Sequence, residues 1–256
     1  MTGATHHTRL LHPTVIKATY TNQNGIVRSF VASKKNYLFF KRIFDILFST
    51  LVIVLVLSWL LPIVGLLIRV GSKGPVFFRQ KRTGLYGKPF YCLKLRTMIS
   101  NDEADERQAE ENDDRITRIG RFLRKTNMDE LPQFLNVWMG DMSIVGPRPH
   151  MISDCIKFSF VISSYQFRNL VRPGITGLAQ VKGYDGLTAN YESTIIRYYW
   201  DAQYVRKASV WLDLKIISTT ISQSLKNILN ACFHFSQHDR QTVVIENINE
   251  KKKIRI

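Results

Sequence analysis

The chain has 256 residues, 45% of them hydrophobic and 22% charged, a globular composition that excludes collagen-like, fully disordered and disulfide-framework architectures. Its net charge of +16 is unevenly distributed, because residues 101–114 (NDEADERQAEENDD) hold eight acids and one arginine, leaving 35 basic residues against 12 acidic ones elsewhere. Such a surface attracts polyanions: nucleic acid, anionic lipid headgroups or phosphorylated substrates. Cys92, Cys155 and Cys232 are odd in number and follow no metal-binding spacing, so they read as reduced thiols facing a cytosol.

Residues 1–36 show little apolar periodicity and read as a tail. From Ile46 to Ile68 there are 23 consecutive residues without a charge, about 34 Å of helix against a hydrocarbon core of about 30 Å. This is a membrane segment, within an anchor placed at residues 37–70. Lys34, Lys35, Lys41 and Arg42 precede the uncharged run, while Arg69, Lys73, Arg79, Lys81 and Arg82 follow it, so a single span would leave one basic cluster on the disfavoured side. Pro62 removes a helical hydrogen bond near the middle, with Ser58 one turn earlier able to bond the freed backbone. The expectation is a re-entrant helix broken at Pro62, with both ends on the cytoplasmic side.

A turn at Gly71–Pro75 leads into two expected strands, Val76–Lys81 and Phe90–Met98, joined by Thr83–Lys88 (TGLYGK). The acidic stretch follows as a solvated face or loop. Arg115–Lys125 (RITRIGRFLRK) places Ile116, Ile119, Phe122 and Leu123 on one arc and five basic side chains opposite. Such a basic amphipathic helix either turns its apolar arc to a soluble core or lies along a membrane interface with its arginines toward phosphate.

Asn127–Met139 (NMDELPQFLNVWM) carries the sharpest chemistry. Read as one helix, it gathers Asp129, Glu130, Gln133 and Asn136 on a polar face opposite Leu131, Phe134, Leu135 and Trp138. Pro132 belongs in a first turn, which sets both acids near a helix N-terminus. An N-cap Asp129 with Glu130 complementing the helix dipole explains the pair as well as catalysis does. The surrounding cations favour catalysis, since a carboxylate attacking phosphate needs charge neutralised by guanidinium groups and a divalent metal. Arg148 stands between two prolines in Asp141–His150 (DMSIVGPRPH). Arg172 opens RPGITGLAQ, where Gly174 and Gly177 allow backbone N–H groups to approach an anion. His150 suits acid–base chemistry or a structural role.

Tyr198, Tyr199, Trp200, Tyr204 and Trp211 cluster in Arg197–Trp211, at headgroup height or in a core. Leu212–Leu229 is a further amphipathic helix, and the end of the chain, KKKIRI, is a basic tail suited to anionic lipid.

In order along the chain, KRIFD, the apolar segment interrupted at Pro62, GPVFFRQKRTG, FYCLKLRTM, RITRIGRFLRKTNMDELPQFLNVWMGDMSIVGPRPH and RPGITGLAQVKG resemble the bacterial sugar transferase family, the monotopic phosphoglycosyl transferases, over residues 37–222. The resemblance implies transfer of a sugar 1-phosphate from a UDP-sugar to undecaprenyl phosphate, with release of UMP. It makes Asp129 the nucleophile that forms a phosphosugar ester. Glu130, together with Asp129, becomes the magnesium site, and Arg124, Arg148, Arg172 and Lys94 become substrate binders. The family commonly has Ser-Pro at its helix break, where this chain has Leu61-Pro62.

The fold class expected is α+β, mostly helical with a small β-hairpin, in a monotopic membrane protein with interfacial amphipathic helices. Its parts are a tail (1–36), a re-entrant anchor (37–70), a cytoplasmic catalytic domain (71–222) and a C-terminal tail (223–256) at the cytoplasmic face of the inner membrane. The expected partners are a UDP-sugar, undecaprenyl phosphate and membrane lipid, with glucose or galactose favoured as the sugar and a homodimer left open. No nucleic acid is expected, because no helix-turn-helix or aromatic RNA-binding signature occurs. The competing reading is a nonenzymatic membrane adaptor of polysaccharide assembly, which leaves the acid pair unexplained.

Overall fold

The computed structural model describes residues 24–99, 113–162, 164–184 and 191–230. Most of the expected 1–36 tail, the acidic stretch at 101–112, Cys232 and the KKKIRI end lie outside the described residues. Helix α1 (Asn24–Val52), a π-helical turn at Ile53–Leu57 and α2 (Ser58–Gly71) follow one another without a connecting loop. Helix thus begins before residue 37, and its backbone departs from helical angles inside α1 only at Lys34. From Ser33 to Gly71 the 39 residues are long and apolar enough to cross a membrane. Leu51, Val54, Leu55, Ile63, Leu66 and Val70 stand exposed along them, which a core helix of a soluble protein does not show.

Helical structure continues through Pro62, and the hydrogen-bond irregularity expected there falls one turn earlier. In the π turn the Ser58 N–H bonds Ile53 O, the Ser58 hydroxyl donates to Val54 O at 2.6 Å, and the Trp59 indole N–H donates to Leu55 O at 2.8 Å. Ser58 therefore serves a carbonyl upstream of itself instead of backbone freed by Pro62. Side-chain donors fill the widened turn, as an apolar environment without water requires.

The hairpin is present as β1 (Phe77–Thr83) and β2 (Pro89–Leu95), with Phe77 opposite Leu95 and Thr83 opposite Pro89. A 3₁₀ turn at Leu85–Gly87 joins them, with Tyr86 and Gly87 both at positive φ. The expected second strand ran three residues too far, because β2 ends where Arg96 leaves the hairpin to bond the Ile68, Ser72 and Lys73 carbonyls around the end of α2. A second sheet, absent from the sequence reading, pairs β3 (Ser143–Val145) with β4 (Gly174–Thr176) in parallel. Three residues per strand give no usable alternation, so only the tertiary pairing reveals them.

The basic helix α3 (Arg118–Lys125) is capped by the Thr117 hydroxyl, which accepts the Gly120 N–H at 2.9 Å. Ile116 lies outside it, in a bridge to Met98. Ile119 and Leu123 pack with Val64 and Ile68 of α2 and Leu95 of β2, so its apolar arc faces the membrane segment itself. Arg118, Arg121 and Lys125 remain exposed. A β-carbon on Gly120 would lie 1.9 Å from Thr97 O, so only glycine lets α3 approach the chain beyond β2 this closely.

The main core gathers Val137 of α4 (Gln133–Met139), Ile144 and Val145 of β3, and Leu170 and Val171. Tyr204 and Val205 of α7 (Tyr191–Lys207) and Ile216 of the helix spanning 210–230 close it. Between these elements lie α5 (Ile152–Val161), a 3₁₀ stretch at Tyr165–Leu170 and the short α6 (Leu178–Val181). Of the aromatic cluster, Tyr204 is buried and bonded to Asp213, whereas Tyr199 and Trp211 are exposed. Asp213 also receives Tyr37 OH at 2.9 Å and Lys41 Nζ at 2.7 Å, tying α1 to the C-terminal helices.

Gly120→Ala is expected to cost about 2–3 kcal/mol through backbone overlap with Thr97. A melting temperature within 1–2 °C of wild type for detergent-purified protein, roughly what a few tenths of a kcal/mol would produce, would refute this close approach.

Candidate active site

The acid pair does not lie on one helix with Gln133 and Asn136. Asn127 takes a left-handed backbone (φ 57°), Met128–Glu130 form a single 3₁₀ turn, and α4 begins after Pro132. The proline supplies the reason: its ring blocks continuous α-helix from 128 to 139 but suits a helix start. Both acids therefore stand just before the N-terminus of α4, as the position of Pro132 implies. Gln133 and Asn136 turn inward instead. The fully buried Asn136 amide donates to Tyr91 O at 2.8 Å and accepts the Leu93 N–H at 2.9 Å, acting as a surrogate strand along β2. That bond pair aligns β2 with α4 and brings Lys94 to the acids.

Lys94 Nζ lies 2.6 Å from Glu130 Oε1. Arg148, entering from the loop after β3, places NH2 2.5 Å from Oε1 and NH1 3.1 Å from Oε2, a two-pronged guanidinium–carboxylate pair. Pro147 and Pro149 stiffen its mount, and Arg82 donates to Pro149 O while Arg168 donates to Arg148 O at 2.7 Å. Arg168 is itself buried against Asp201 of α7 at 2.6 Å. These supports escaped the sequence reading, because a lone arginine in YQFRNL and a lone aspartate in a helix carry no motif.

Arg124 sits one turn before the acids, its Nε donating to Thr97 Oγ1 at 3.0 Å. Lys94, Arg124 and Arg148 all act electrostatically on Asp129. Arg172 does not join them: its Nε donates to Gly140 O at 2.9 Å, at the opposite end of α4. At Gly174 the backbone N–H is taken by Pro147 O at 3.0 Å, and both Gly174 and Gly177 lie tight against Gly146. β-Carbons there would strike Gly146 backbone at 2.1 and 2.2 Å, so these glycines serve close packing of the parallel strands. His150 is buried with Nδ1 2.5 Å from Tyr165 OH, and burial followed by the charges of Arg168, Arg197, Arg82 and Arg148 drives its pKa well below the usual value. The buried ring is tied to Tyr165, the arrangement of a structural histidine.

The two carboxylates are thereby differentiated. Burial alone would raise Glu130, but Arg148 and Lys94 outweigh it and hold this carboxyl well below the usual range. Burial raises Asp129 to about 6, reinforced by the neighbouring Glu130 charge and opposed by Lys94, Arg124 and Arg148. Asp129 makes no side-chain hydrogen bond among the described residues, though it is 8% exposed. One acid is locked and ionised. The other is unbonded, desolvated and ionised near neutrality, the condition of a carboxylate nucleophile.

Among the described residues no group of three or more His, Cys, Asp and Glu side chains could hold a metal. The donor set nevertheless suits magnesium, a hard cation usually held by one or two carboxylates together with substrate phosphates. Glu130 and Asp129 are the two carboxylates present there that would hold such an ion.

The α+β domain carries a buried acid pair beside three cationic side chains, just before a short helix, together with an apolar helix long enough to cross a membrane. Residues 36–227 match the family model "Bacterial sugar transferase", and the chain belongs to that family. It is 46% identical over 189 residues to the UDP-glucose:undecaprenyl-phosphate glucose-1-phosphate transferase of Klebsiella pneumoniae, covering 73% of this chain and 40% of that protein. Against the protein of the same name from Caulobacter vibrioides it is 46% identical over 186 residues, covering 72% of this chain and 69% of the relative. The exopolysaccharide production protein PSS of Rhizobium leguminosarum is 43% identical over 190 residues, covering 72% of this chain and 94% of that protein. The chain spans about two fifths of the length of the Klebsiella relative.

The Asp129 pKa predicts a stability effect. The folded chain holds this proton to about pH 6 and the unfolded chain only to about 4, so stability falls as pH rises through that window and the deficit is complete above it. Asp129→Asn should therefore stabilise the protein by on the order of 1–3 kcal/mol at pH 8 and have little effect at pH 4. Thermal melts of both proteins at the two pH values test this; an equal or lower melting temperature for the variant at pH 8 contradicts it.

Proposed function

We propose that this protein transfers a sugar 1-phosphate from a UDP-sugar to undecaprenyl phosphate in two displacements, beginning the lipid-linked assembly of a surface polysaccharide. The observation that carries the reading is the unbonded Asp129 carboxylate beside a Glu130 that Lys94 and Arg148 hold ionised. In the first displacement an Asp129 oxygen attacks the sugar-bearing phosphorus of the donor. The bond from that phosphorus to the bridging diphosphate oxygen breaks, and UMP leaves with the oxygen. In the second, a phosphate oxygen of the lipid attacks the same phosphorus. The acyl-phosphate bond breaks, Asp129 is restored as a carboxylate, and the product is the lipid-linked diphosphosugar.

Arg124, Arg148 and Lys94 surround the developing phosphoryl charge, a placement worth most in a desolvated site. Glu130, with Asp129, would hold magnesium, which when bound neutralises the donor's diphosphate and eases departure of UMP. Lys94 Nζ and Arg148 NH2 both bond Oε1 of Glu130, so Oε2, which receives only Arg148 NH1, would be the oxygen toward the ion, with donor phosphates supplying further ligands. Glucose is the sugar favoured, since the Klebsiella and Caulobacter relatives both carry it in their names.

The acceptor's tail never leaves the bilayer, so the acids must work at headgroup height. A re-entrant anchor at the cytoplasmic face of the inner membrane accounts for this. Its support is the basic flank on each side of the apolar run and the seating of both halves on one domain. Asp45 of α1 accepts the Ile144 N–H, while Val64 and Ile68 of α2 pack on Leu95 and Leu123. The exposed arginines of α3, beside α2, suit anionic headgroups.

With purified protein, magnesium, undecaprenyl phosphate and a panel of UDP-sugars, UMP release is expected with UDP-glucose. Asp129→Asn should lower it by about a thousandfold or more. Donor labelled in the sugar phosphate should mark the polypeptide when the lipid is omitted, and wild type that turns over fully yet never acquires label would exclude the covalent route. Arg148→Lys loses the two-pronged geometry and should lower kcat/KM by about 10–100-fold, a 1.4–2.7 kcal/mol loss of transition-state stabilisation.

A further inference from the structure

We propose that Arg42, together with Arg172, is a positioning residue that grips the far end of α4 and so sets the height of Asp129 and Glu130 above the membrane segment. The inference rests on the two-displacement reading above. Helix α4 is only seven residues long, too short to hold its own position in water. Its last carbonyls present the negative end of its dipole, and backbone N–H groups of Gly140, Asp141 and Met142 serve only those of Asn136 and Val137. Two of them receive guanidinium donors from Arg42, NH1 to Val137 O at 2.7 Å and NH2 to Trp138 O at 3.0 Å, while Arg172 Nε bonds the carbonyl of the capping Gly140 at 2.9 Å; Val137 O also accepts the Gly140 N–H at 3.1 Å.

Arg42 belongs to α1, the start of the membrane segment, and lies three residues before Asp45, which is bonded to Ile144. The anchor thus holds α4 by one end while the acids stand just before the other, about 10 Å away along the helix. Trp138 and Met139, each 55% exposed, lie at the grip itself, where an indole favours headgroup level. A tilt of α4 at the grip moves the acids relative to the bilayer.

The two substrates differ in their sensitivity to such a tilt. The nucleotide sugar arrives from solution at any height. The lipid's phosphate is confined to the headgroup layer by its tail, so misplacement should cost the second displacement far more than the first. An error of about 1 Å is enough for losses near a hundredfold. Lysine keeps the charge of Arg42 but cannot bond two neighbouring carbonyls in one plane.

The test compares wild type, Arg42→Lys, Arg42→Gln and Arg172→Lys in two single-turnover measurements. One is UMP release from UDP-sugar without acceptor. The other is transfer of trapped label to undecaprenyl phosphate in vesicles or to a short-chain, water-soluble polyprenyl phosphate. The expected result is UMP release within about twofold of wild type and an unchanged KM for the donor. Transfer to the vesicle-bound lipid should fall about tenfold or more for Arg42→Gln and less for Arg42→Lys, with the short-chain acceptor restoring it. An equal loss in both displacements, a raised donor KM, or no loss at all overturns the proposal. So does failure of the short-chain acceptor to rescue. If Arg42→Gln does not fold, Arg42→Lys and Arg172→Lys decide by the same split. Wild type that neither releases UMP nor takes up label removes the underlying functional reading, whereas an active wild type without the split in its variants removes this inference alone.

Discussion

The site depends on the capture of Glu130 by two cations from different parts of the chain. Lys94 comes from the hairpin and Arg148 from the loop after β3, and both ends of the Glu130 carboxylate are occupied. Glu130 is thus pinned by its partners, whereas Asp129 makes no side-chain hydrogen bond among the described residues. Two adjacent acids on one turn, chemically alike in an unfolded chain, become unlike because only one has partners. Their separation follows the general rule that environment pushes the pKa values of paired acids apart and thereby assigns their roles.

Much of the surrounding architecture keeps that capture in register. Asn136 joins α4 to β2, so that Lys94 and Glu130 approach from elements 36 residues apart. Arg168, neutralised by Asp201, holds the backbone from which Arg148 extends. A buried ion pair of this kind contributes little net stability by itself but is costly to break from one side, which suits a fixed support. The close contact at Gly120 brings α3, and with it Arg124, against the strand end beside the acids. Asn136 and Arg168 are buried polar groups, and each has its partner.

The membrane segment is part of the same arrangement, because its polar residues reach into the domain. Lys41 bonds Asp213, Arg42 bonds the end of α4, and Asp45 bonds β3. The KRIFD run is therefore a docking face on a helix whose other sides carry exposed apolar residues. Between its two halves, the π turn at Ile53–Leu57 uses Ser58 and Trp59 side chains to bond carbonyls that a regular helix would serve with backbone.

The apolar run, the basic amphipathic helix, the hairpin and the neighbouring acids were legible from the sequence by itself, because each is written in local period, charge or turn chemistry. So was the placement of Asp129 and Glu130 near a helix start, through Pro132. Only the tertiary structure decided which polar residues meet. It turned Asn136 inward to β2, sent Arg172 to the far end of α4, gave Gly174 and Gly177 to strand packing, and buried His150 against Tyr165. The parallel pair of three-residue strands and the Arg168–Asp201 support were likewise invisible beforehand. The physical reason is common to all of them: hydrophobic periodicity is a property of neighbours along the chain, whereas a hydrogen bond between residues far apart in sequence is a property of the packed interior, where an unpaired polar group costs too much to leave alone.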